Sequence, residues 1–524
     1  MPSHELHYTR RTALALLGTT LSSVGLVQAS QETTTPSAAN ATTTDAPETS
    51  DAATMSAPPA PAPTGSHPMF GVDTTRTGYA PEESGPGEPV SPWWCIGVDG
   101  SRLTPMTLVD GRLYVGSPGG GLRALDPTTG ETVWETRFET YPNAPTVAGD
   151  RLFTSDGTAV YALGVESGRE LWSKRFGAQL WTSVLVADGG PGDPTLFVVR
   201  DEIRESDGDS DAEREPDSPR LFALDGADGA VRWDAPLEHG PLYGSLAARD
   251  GAVYGGGKFG LAAFDAATGE RQWHADIGRA TNPAVGDGSV FVGTDAATVH
   301  ALDPNDGSEQ WAVELPNAGS EERQVEVRTS PAVADGTVYV AVTDGNLYAL
   351  DGETGRQQWT FDGGTWLDVS PTVAGAGTDA TVYVGSRQGN VFAVDAADGS
   401  LGWSYQLTGP VETSPVVVDG TVFVGDEEGR VHALVGESVA VETEGCRVAE
   451  RTPTPQPSSE DSDNDGVPDR QDYAPRDSSV QRRSDLTTAD EEEPGFFAGV
   501  GVGTAVAAFG AGTGWWLGQR GDGE

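Results

Sequence analysis

Short apolar runs separated by turn signals recur along the middle of the chain. Residues 329–359 show one such unit: an apolar run leads to Asp335-Gly336, an alternating apolar and polar run occupies 337–342, and two further short runs end at Trp359. An Asp-Gly pair favours a two-residue hairpin turn, and alternation predicts a half-buried strand. Each unit is therefore predicted to fold as four short antiparallel strands.

The unit is repeated, and the pattern A-x-[D/G]-x3-G-x3-W marks seven copies of it. An eighth unit begins at Thr413 but lacks the final Gly and Trp, whereas PWWCIGV at 92–98 is a single strand that precedes the first unit. We expect this N-terminal strand to complete the eighth unit and to close the ring. The sequence thus predicts an all-β, eight-bladed β-propeller over residues 67–446.

The fixed position of the tryptophan within each copy of the pattern indicates a structural role. A buried indole covers about 150–250 Å² and its N–H usually finds an acceptor, whereas nothing in the pattern places a nucleophile beside a base. We predict that one tryptophan per blade docks onto the neighbouring blade, and these are Trp94, Trp134, Trp172, Trp233, Trp273, Trp311, Trp359 and Trp403.

The charge of the chain narrows the class of partner. Its formal net charge is -47, from 79 acidic and 32 basic residues, and its only lysines are Lys174 and Lys258. Such a surface repels phosphate, so nucleic acid is excluded as a partner. Scarce lysine with retained arginine indicates adaptation to very high salt, as in a halophilic archaeon. A generally acidic extracellular protein is the alternative.

The N-terminus predicts export. Arg10-Arg11, an apolar run and a small-residue site ending at Ala29 form a signal peptide over 1–29, similar to the twin-arginine type. Residues 30–66 are rich in Thr, Ser, Pro and Ala, which predicts a disordered stalk. Asn40 begins a glycosylation sequon there.

The two cysteines of the chain fit the predicted closure. Cys95 lies on the N-terminal strand and Cys446 lies just after the incomplete eighth unit. In an exported protein a disulfide between them is expected, and by the disputed chain-entropy model it stabilises the fold by roughly 5 kcal/mol. Two free buried thiols are the alternative.

The repeated pattern resembles the tryptophan-docking motif of the pyrroloquinoline-quinone (PQQ) type propeller repeat. Proteins with that repeat include quinoprotein alcohol dehydrogenases and non-enzymatic proteins similar to a bacterial lipoprotein that assembles outer-membrane barrels. The stretch PMFGVDTTRTGYAP at 68–81 also resembles the start of secreted members. The resemblance implies the fold but leaves the function open.

The enzymes of that family have adjacent cysteines, a calcium ion bound by Glu and Asn, and a catalytic Asp. This sequence has no Cys-Cys pair and no CxxCH haem motif. We therefore predict no catalytic residue, no enzymatic activity and no bound PQQ, with a PQQ-dependent quinoprotein dehydrogenase as the alternative.

Less regular residues stand just before the predicted innermost strands, whose entry loops converge on one mouth of the channel. They combine aromatic and charged side chains, which predicts a binding site for a protein, glycan or small ligand. The candidates are Trp181, Tyr243, Arg328, Trp366, Asp368 and Glu412. The protein is expected to be a monomer.

After a linker at 447–460, residues 461–477 carry acidic residues at calcium-loop spacing. They resemble a thrombospondin type 3 repeat, with Gly466 permitting the sharp turn. The predicted ligands of this structural calcium ion are Asp461, Asp463, Asp465, the carbonyl of Val467, Asp469 and Asp472.

An acidic linker at 478–493 precedes a tail at 494–520. Its first three residues, Pro-Gly-Phe, and the uncharged stretch that follows resemble an archaeosortase-processed sorting signal. Either this segment is removed and replaced by a lipid, or it is retained as a transmembrane helix. The sequence predicts an extracellular binding or scaffold protein anchored to the cytoplasmic membrane. An envelope protein-assembly factor is a further alternative.

Overall fold

The computed structural model describes residues 65–436 except 68, 70, 120, 181, 188–193, 202–217 and 317–324, and it also describes the backbone of 447–448. The chain separates into two compact units, Met1–Ala57 and Pro58–Glu524. All described residues belong to the second unit. The predicted signal peptide, the glycosylation site at Asn40, the calcium loop and the sorting tail lie outside the described residues.

The described residues form β-strands and one 3-10 turn, Gly377–Asp379. Two strands precede the first blade: β1 (Tyr79–Ala80) and β2 (Ser91–Gly97). Blade 1 consists of β3 (Thr107–Val109), β4 (Arg112–Ser117), β5 (Gly121–Leu125) and β6 (Thr132–Thr136), and blade 2 of β7 (Thr146–Ala148), β8 (Arg151–Ser155), β9 (Ala159–Gly164) and β10 (Glu170–Arg175). Blade 3 consists of β11 (Leu185–Ala187), β12 (Thr195–Arg200), β13 (Arg220–Asp225) and β14 (Val231–Pro236), and blade 4 of β15 (Ala247–Arg249), β16 (Ala252–Gly257), β17 (Gly260–Asp265) and β18 (Arg271–Ala275).

Blade 5 consists of β19 (Ala284–Gly286), β20 (Ser289–Gly293), β21 (Thr298–Leu302) and β22 (Glu309–Glu314), and blade 6 of β23 (Ala332–Ala334), β24 (Thr337–Ala341), β25 (Asn346–Asp351) and β26 (Gln357–Asp362). Blade 7 consists of β27 (Thr372–Ala374), β28 (Thr381–Gly385), β29 (Asn390–Asp395) and β30 (Leu401–Gln406), and blade 8 contains β31 (Val416–Val418), β32 (Thr421–Gly425) and β33 (Arg430–Val435). A last strand, β34, covers Arg447–Val448.

The strands assemble into eight sheets, one for each blade, and the predicted eight-bladed propeller is confirmed. The predicted closure by the N-terminal strand is also confirmed. In blade 8 the strand order is β31-β32-β33-β2-β34, and β2 pairs antiparallel with β33, with Trp94 opposite Ala433. The start and the end of the repeat region therefore share one sheet, which leaves neither of them as an open edge.

Each docking tryptophan donates its indole N–H to a backbone carbonyl of the next blade. Trp311, for example, lies 2.9 Å from the carbonyl oxygen of Gly352, the residue after the motif Asp. At the closing joint Trp403 donates to the carbonyl of Pro86, 3.0 Å away. The segment before β2 thus supplies the acceptor that the incomplete eighth motif lacks. The other six acceptors are Pro127, Val165, Gly226, Ala266, Pro304 and Ala396.

The motif glycine completes the same joint. Gly355 has φ +70° and lies against the ring of Trp311, so that a Cβ there would be 2.7 Å from Cε3 of the indole. Glycine is therefore required at this position for two reasons: its backbone conformation and its lack of a side chain. An aromatic residue of each second strand tilts against the docking tryptophan of its blade, as Tyr339 does against Trp359 at 5.7 Å between ring centroids.

A short stretch of the N-terminal chain, residues 73–80, lies along the inner edges of blades 4 to 7; we call it the channel segment. Its carbonyls accept hydrogen bonds from the innermost strands of those four blades, through N–H groups of Ala248, Val285, Val333 and Val373 at 2.7–2.8 Å. At the end of the segment, β1 pairs parallel with β27. The side chain of Arg76 is buried and donates to the carbonyl of Leu246 at 2.9 Å. The segment thereby fills part of the central channel.

Cys95 is disulfide-bonded, and no cysteine among the described residues is free. Its predicted partner, Cys446, lies outside the described residues, so the pairing stays a prediction. The pairing is favoured by β34, which begins directly after Cys446 and runs parallel to β2, with Arg447 opposite Ile96.

In the part of the chain that the structure describes, no helix is long and apolar enough to cross a bilayer.

Candidate functional site

One mouth of the channel contains a cavity of about 330 Å³, which we call the mouth cavity. Residues of blades 7, 8, 1 and 2 contribute most of its lining. Two of the predicted binding residues, Asp368 and Glu412, lie together in it. The sequence did not single out four other charged or aromatic residues that line it, namely Arg102, Tyr141, Arg387 and Glu427.

Strand direction explains why these residues meet. In an antiparallel blade, the loop that enters the first strand and the turn between the second and third strands lie at the same end of the sheet. Asp368 and Glu412 precede the first strands β27 and β31. Arg387 and Glu427 follow the second strands β28 and β32. Arg387 and Glu427 were missed because only the entry loops were predicted to reach the mouth, whereas the turns after the second strands reach it as well.

Asp368 and Arg387 form an ion pair at one side of the mouth cavity. The Nε of Arg387 lies 2.5 Å from Oδ2 of Asp368, whose side chain is largely buried. The same guanidinium lies over the ring of Trp366, 5.6 Å from its centroid, and Arg328 lies 5.7 Å from that centroid. Arg328 is in turn paired with Glu326 at 2.6 Å. Aromatic and ionic contacts thus hold this edge of the cavity in place.

Glu412 also lines the mouth cavity. Its Oε2 accepts the N–H of Leu103 at 3.1 Å. Burial raises the pKa of the Glu412 carboxyl from its usual 4.5 to about 7, although the Leu103 N–H and the charge of Arg102 act in the other direction. Burial thus favours the protonated form of this carboxyl more than in an exposed glutamate.

The remaining predicted residues are placed as follows. Trp366 contacts Arg387 at the edge of the cavity and Arg328 contacts Trp366, but neither Trp366 nor Arg328 lines the cavity itself. Tyr243 lies on the loop before blade 4, where Arg279 lies 5.8 Å from its ring centroid, and it does not line the mouth cavity. Trp181 lies outside the described residues. The structure thus brings four of the six candidates into one group.

The fold and the docking joints define the class of protein: an eight-bladed propeller built from tryptophan-docked repeats. The model of the PQQ-type repeat family described as "Outer membrane protein assembly factor BamB" matches residues 93–177, 160–278, 257–374 and 365–439. These matches cover more than half of the chain, and the chain therefore belongs to this family.

Individual relatives are distant. The chain is 29% identical over 180 residues to the serine/threonine-protein kinase AfsK of Streptomyces griseus, a match that covers 32% of this chain and 20% of the kinase. This chain thus spans only a fifth of the length of that relative.

Solved structures show similarity of fold alone. The quinohemoprotein alcohol dehydrogenase from Comamonas testosteroni is matched with a TM-score of 0.56 and 13% identity, over 72% of this chain and 82% of that chain. The computationally designed Ika8 protein is matched with a TM-score of 0.52 and 17% identity, over 64% and 98%. A europium-containing methanol dehydrogenase gives 0.53 and 14%, over 69% and 89%.

The mouth cavity does not suit the cofactor after which the repeat is named. PQQ is a planar polycarboxylic acid, and binding it calls for cationic groups that are available to its carboxylates. Three carboxyl groups, those of Asp368, Glu412 and Glu427, line the cavity, against two guanidinium groups, those of Arg102 and Arg387. Carboxylates that face carboxylates at short range repel each other.

Proposed function

We propose that this protein is an exported, surface-anchored propeller whose mouth cavity binds a ligand or partner outside the cell. The observation that carries the proposal is the mouth cavity itself, about 330 Å³ in volume and lined by a tyrosine and by charged side chains from several blades. Sites of this kind, in which a rigid scaffold positions loop residues around a concavity, are typical of binding proteins.

The arrangement favours binding over catalysis. Three of the charged side chains of the cavity are engaged in fixed contacts: Arg387 pairs with Asp368, and Glu412 accepts the Leu103 N–H. Catalysis by general acids or activated nucleophiles requires a base within hydrogen-bond reach of a nucleophile. The described groups around the cavity do not form such a pair.

Anchoring is the second part of the proposal, and it rests on the sequence of the segments outside the described residues. The signal peptide at 1–29 would direct export, the calcium loop at 461–477 would stiffen the segment between the propeller and the tail, and the tail at 494–520 would attach the chain to the cytoplasmic membrane. Fractionation of host cells tests this part: the protein should be in the membrane fraction and be digested by protease added to intact cells.

A second candidate function is envelope protein assembly, which the family match favours. It predicts that the natural ligand of the mouth is another protein and not a small molecule. The experiment that follows separates the two.

The binding proposal is tested by what copurifies with the protein from its native host. Mass spectrometry of the material that the denatured protein releases should identify a bound molecule, whose amount falls at least about tenfold in the double variant Asp368→Ala/Glu412→Ala. The matched control removes two exposed carboxylates in the turns that join the third and fourth strands, Asp306→Ala/Glu353→Ala. Equal retention by both variants would contradict a site at the mouth. A released quinone chromophore would instead support a quinoprotein.

A further inference from the structure

We propose that the ligand of the mouth cavity is a neutral, hydroxyl-rich molecule, that is, the end of a saccharide chain. This inference rests on the proposed binding function and names the ligand class for the same site. It is carried by three observations: the mixture of donors and acceptors in the cavity, an exposed aromatic ring beside them, and inner strands that are already hydrogen-bonded.

The polar lining of the cavity offers donors and acceptors in similar number. Asp368, Glu412 and Glu427 present carboxylate oxygens, which accept, while Arg102 and Arg387 present guanidinium groups, which only donate. A sugar hydroxyl both donates and accepts, so neighbouring hydroxyls of one ring can satisfy both kinds of group. Ligands that carry only donors or only acceptors satisfy half of such a lining.

Charge also favours a neutral ligand. A cationic ligand would meet Arg102 and Arg387, and an anionic ligand would meet the three carboxylates. Burying an ion beside like charges costs more free energy than burying a neutral polar group with its hydrogen bonds made. In strong salt the attraction between a charged ligand and the acidic surface is screened within about 3 Å, and hydrogen bonds then carry the recognition.

Some of these groups are held in place before any ligand arrives. Asn143, which also lines the cavity, donates from Nδ2 to Oγ of Ser155 at 2.8 Å. Arg387 is fixed by Asp368 and by the ring of Trp366. Preorganised polar groups lose little conformational entropy on binding. A low entropic cost favours the binding of neutral ligands, whose interactions with a protein are weak.

An aromatic ring stands beside the polar groups. Tyr141 lines the cavity and is 39% exposed, so that part of its side chain is available to a ligand. A tyrosine ring offers a flat apolar surface and a polar tip, and the C–H face of a pyranose packs on such a surface. The cavity volume of about 330 Å³ is at the low end of the range of ligand pockets, roughly 300–1,000 Å³. It therefore fits one or two sugar rings.

An extended peptide is disfavoured by the channel segment. Peptides commonly bind by adding a strand to an open sheet edge. On the inner edges of blades 4 to 7 the N–H groups of Ala248, Val285, Val333 and Val373 already donate to carbonyls of residues 74–78. Of these four blades only blade 7 also contributes to the mouth cavity, and in blade 1 the inner-strand residue Leu108 exchanges backbone hydrogen bonds with His67. A peptide at the mouth would thus find the inner edges of blades 7 and 1 occupied.

The test titrates the full folded chain with methyl glycosides of glucose, galactose, mannose and N-acetylglucosamine and with their disaccharides, observed by saturation-transfer NMR. We expect at least one of them to bind with a dissociation constant of about 1 mM or below. Tyr141→Ala should weaken that binding at least about tenfold, a loss of 1.4 kcal/mol or more, whereas Tyr141→Phe retains it. Phe259→Ala removes another exposed aromatic ring, one that does not line the mouth cavity, and should change nothing.

Two results would overturn the inference in distinguishable ways. If no sugar of the panel binds at about 10 mM, or if sugar binding survives Tyr141→Ala and Glu412→Ala alike, the saccharide assignment fails. If arginine amide or N-acetylglutamate binds instead and the variant Asp368→Ala/Glu412→Ala abolishes it, the assignment fails while the proposed mouth site stands. The native-host experiment above decides the proposed function separately, because it makes no assumption about ligand chemistry.

Discussion

At the scale of single residues, the blade joint depends on glycine as much as on tryptophan. Gly355 and Gly336 both have positive φ, +70° and +77°, but only Gly355 lies against an indole, that of Trp311. Alanine at either position should cost about 1–2 kcal/mol for the left-handed backbone. At Gly355 it should cost about 1–3 kcal/mol more, because the Cβ displaces the ring.

Urea unfolding of the two alanine variants measures this difference directly. Gly336→Ala is the matched control, since a Cβ there meets no atom within 4 Å. Equal losses in the two variants would show that the ring contact contributes nothing to stability.

Glu412 makes stability depend on pH. Its pKa is about 7 in the folded chain, against an ordinary value of 4.5, because the carboxyl is partly buried. The folded state therefore holds a proton that the unfolded state releases, and this contribution is full below pH 4.5 and lost as the pH rises through about 7.

We accordingly expect Glu412→Gln, which retains an acceptor for the Leu103 N–H, to gain stability relative to the native chain as the pH rises from 4.5 to 8. Unfolding free energies of both proteins at the two pH values provide the measurement, and the value at the lower pH is the internal reference. A difference that stays constant with pH would refute the raised pKa.

At the scale of elements, the tryptophan spacing was sufficient to predict the blades and the closing strand. A large residue that recurs at a fixed position in every repeat indicates a contact between neighbouring repeats, and Trp94 on β2 completes the series. The role of the channel segment was not predictable in this way. It acts mainly through backbone carbonyls, such as those of Thr74 and Thr77, which every residue has and which no side-chain pattern reveals.

The channel segment should stabilise the inner strands. A chain that begins at residue 82 retains β2 but loses the acceptors of Ala248, Val285, Val333 and Val373, and a buried donor left without an acceptor costs about 1–3 kcal/mol. We expect a lower melting temperature and faster hydrogen exchange at those four amides. A chain that begins at residue 66 is the control. Identical exchange in both chains would show that the segment is dispensable.

The predicted disulfide also acts at this scale, because it would join β2 to the chain just before β34. Non-reducing mass spectrometry should find one peptide pair containing Cys95 and Cys446, and reduction should lower the melting temperature. Recovery of both cysteines as free thiols from unreduced protein would rule out this covalent closure.

At the scale of the whole molecule, the sequence predicted a site at one mouth of the channel and two of the residues that line it, but not the others. Asp368 and Glu412 were found because they interrupt a regular repeat just before an inner strand. Tyr141 and Arg102 precede inner strands in the same way, but each belongs to a loop of otherwise ordinary composition. Only the closure of the ring, which brings blades 1 and 2 beside blades 7 and 8, makes them neighbours of Glu412.

The predicted calcium loop should be energetically separate from the propeller. Its ligands follow residue 460 and therefore come after the last strand of blade 8 in the chain. Replacing Asp461 and Asp465 by Asn should abolish calcium binding, because a hard cation needs six to eight oxygen ligands and these two carboxylates supply much of the charge. Isothermal titration measures the lost binding, and the melting temperature of the propeller should remain unchanged in the same variant. A matched drop in the melting temperature of the native chain on calcium removal would instead show that the loop and the propeller fold as one unit.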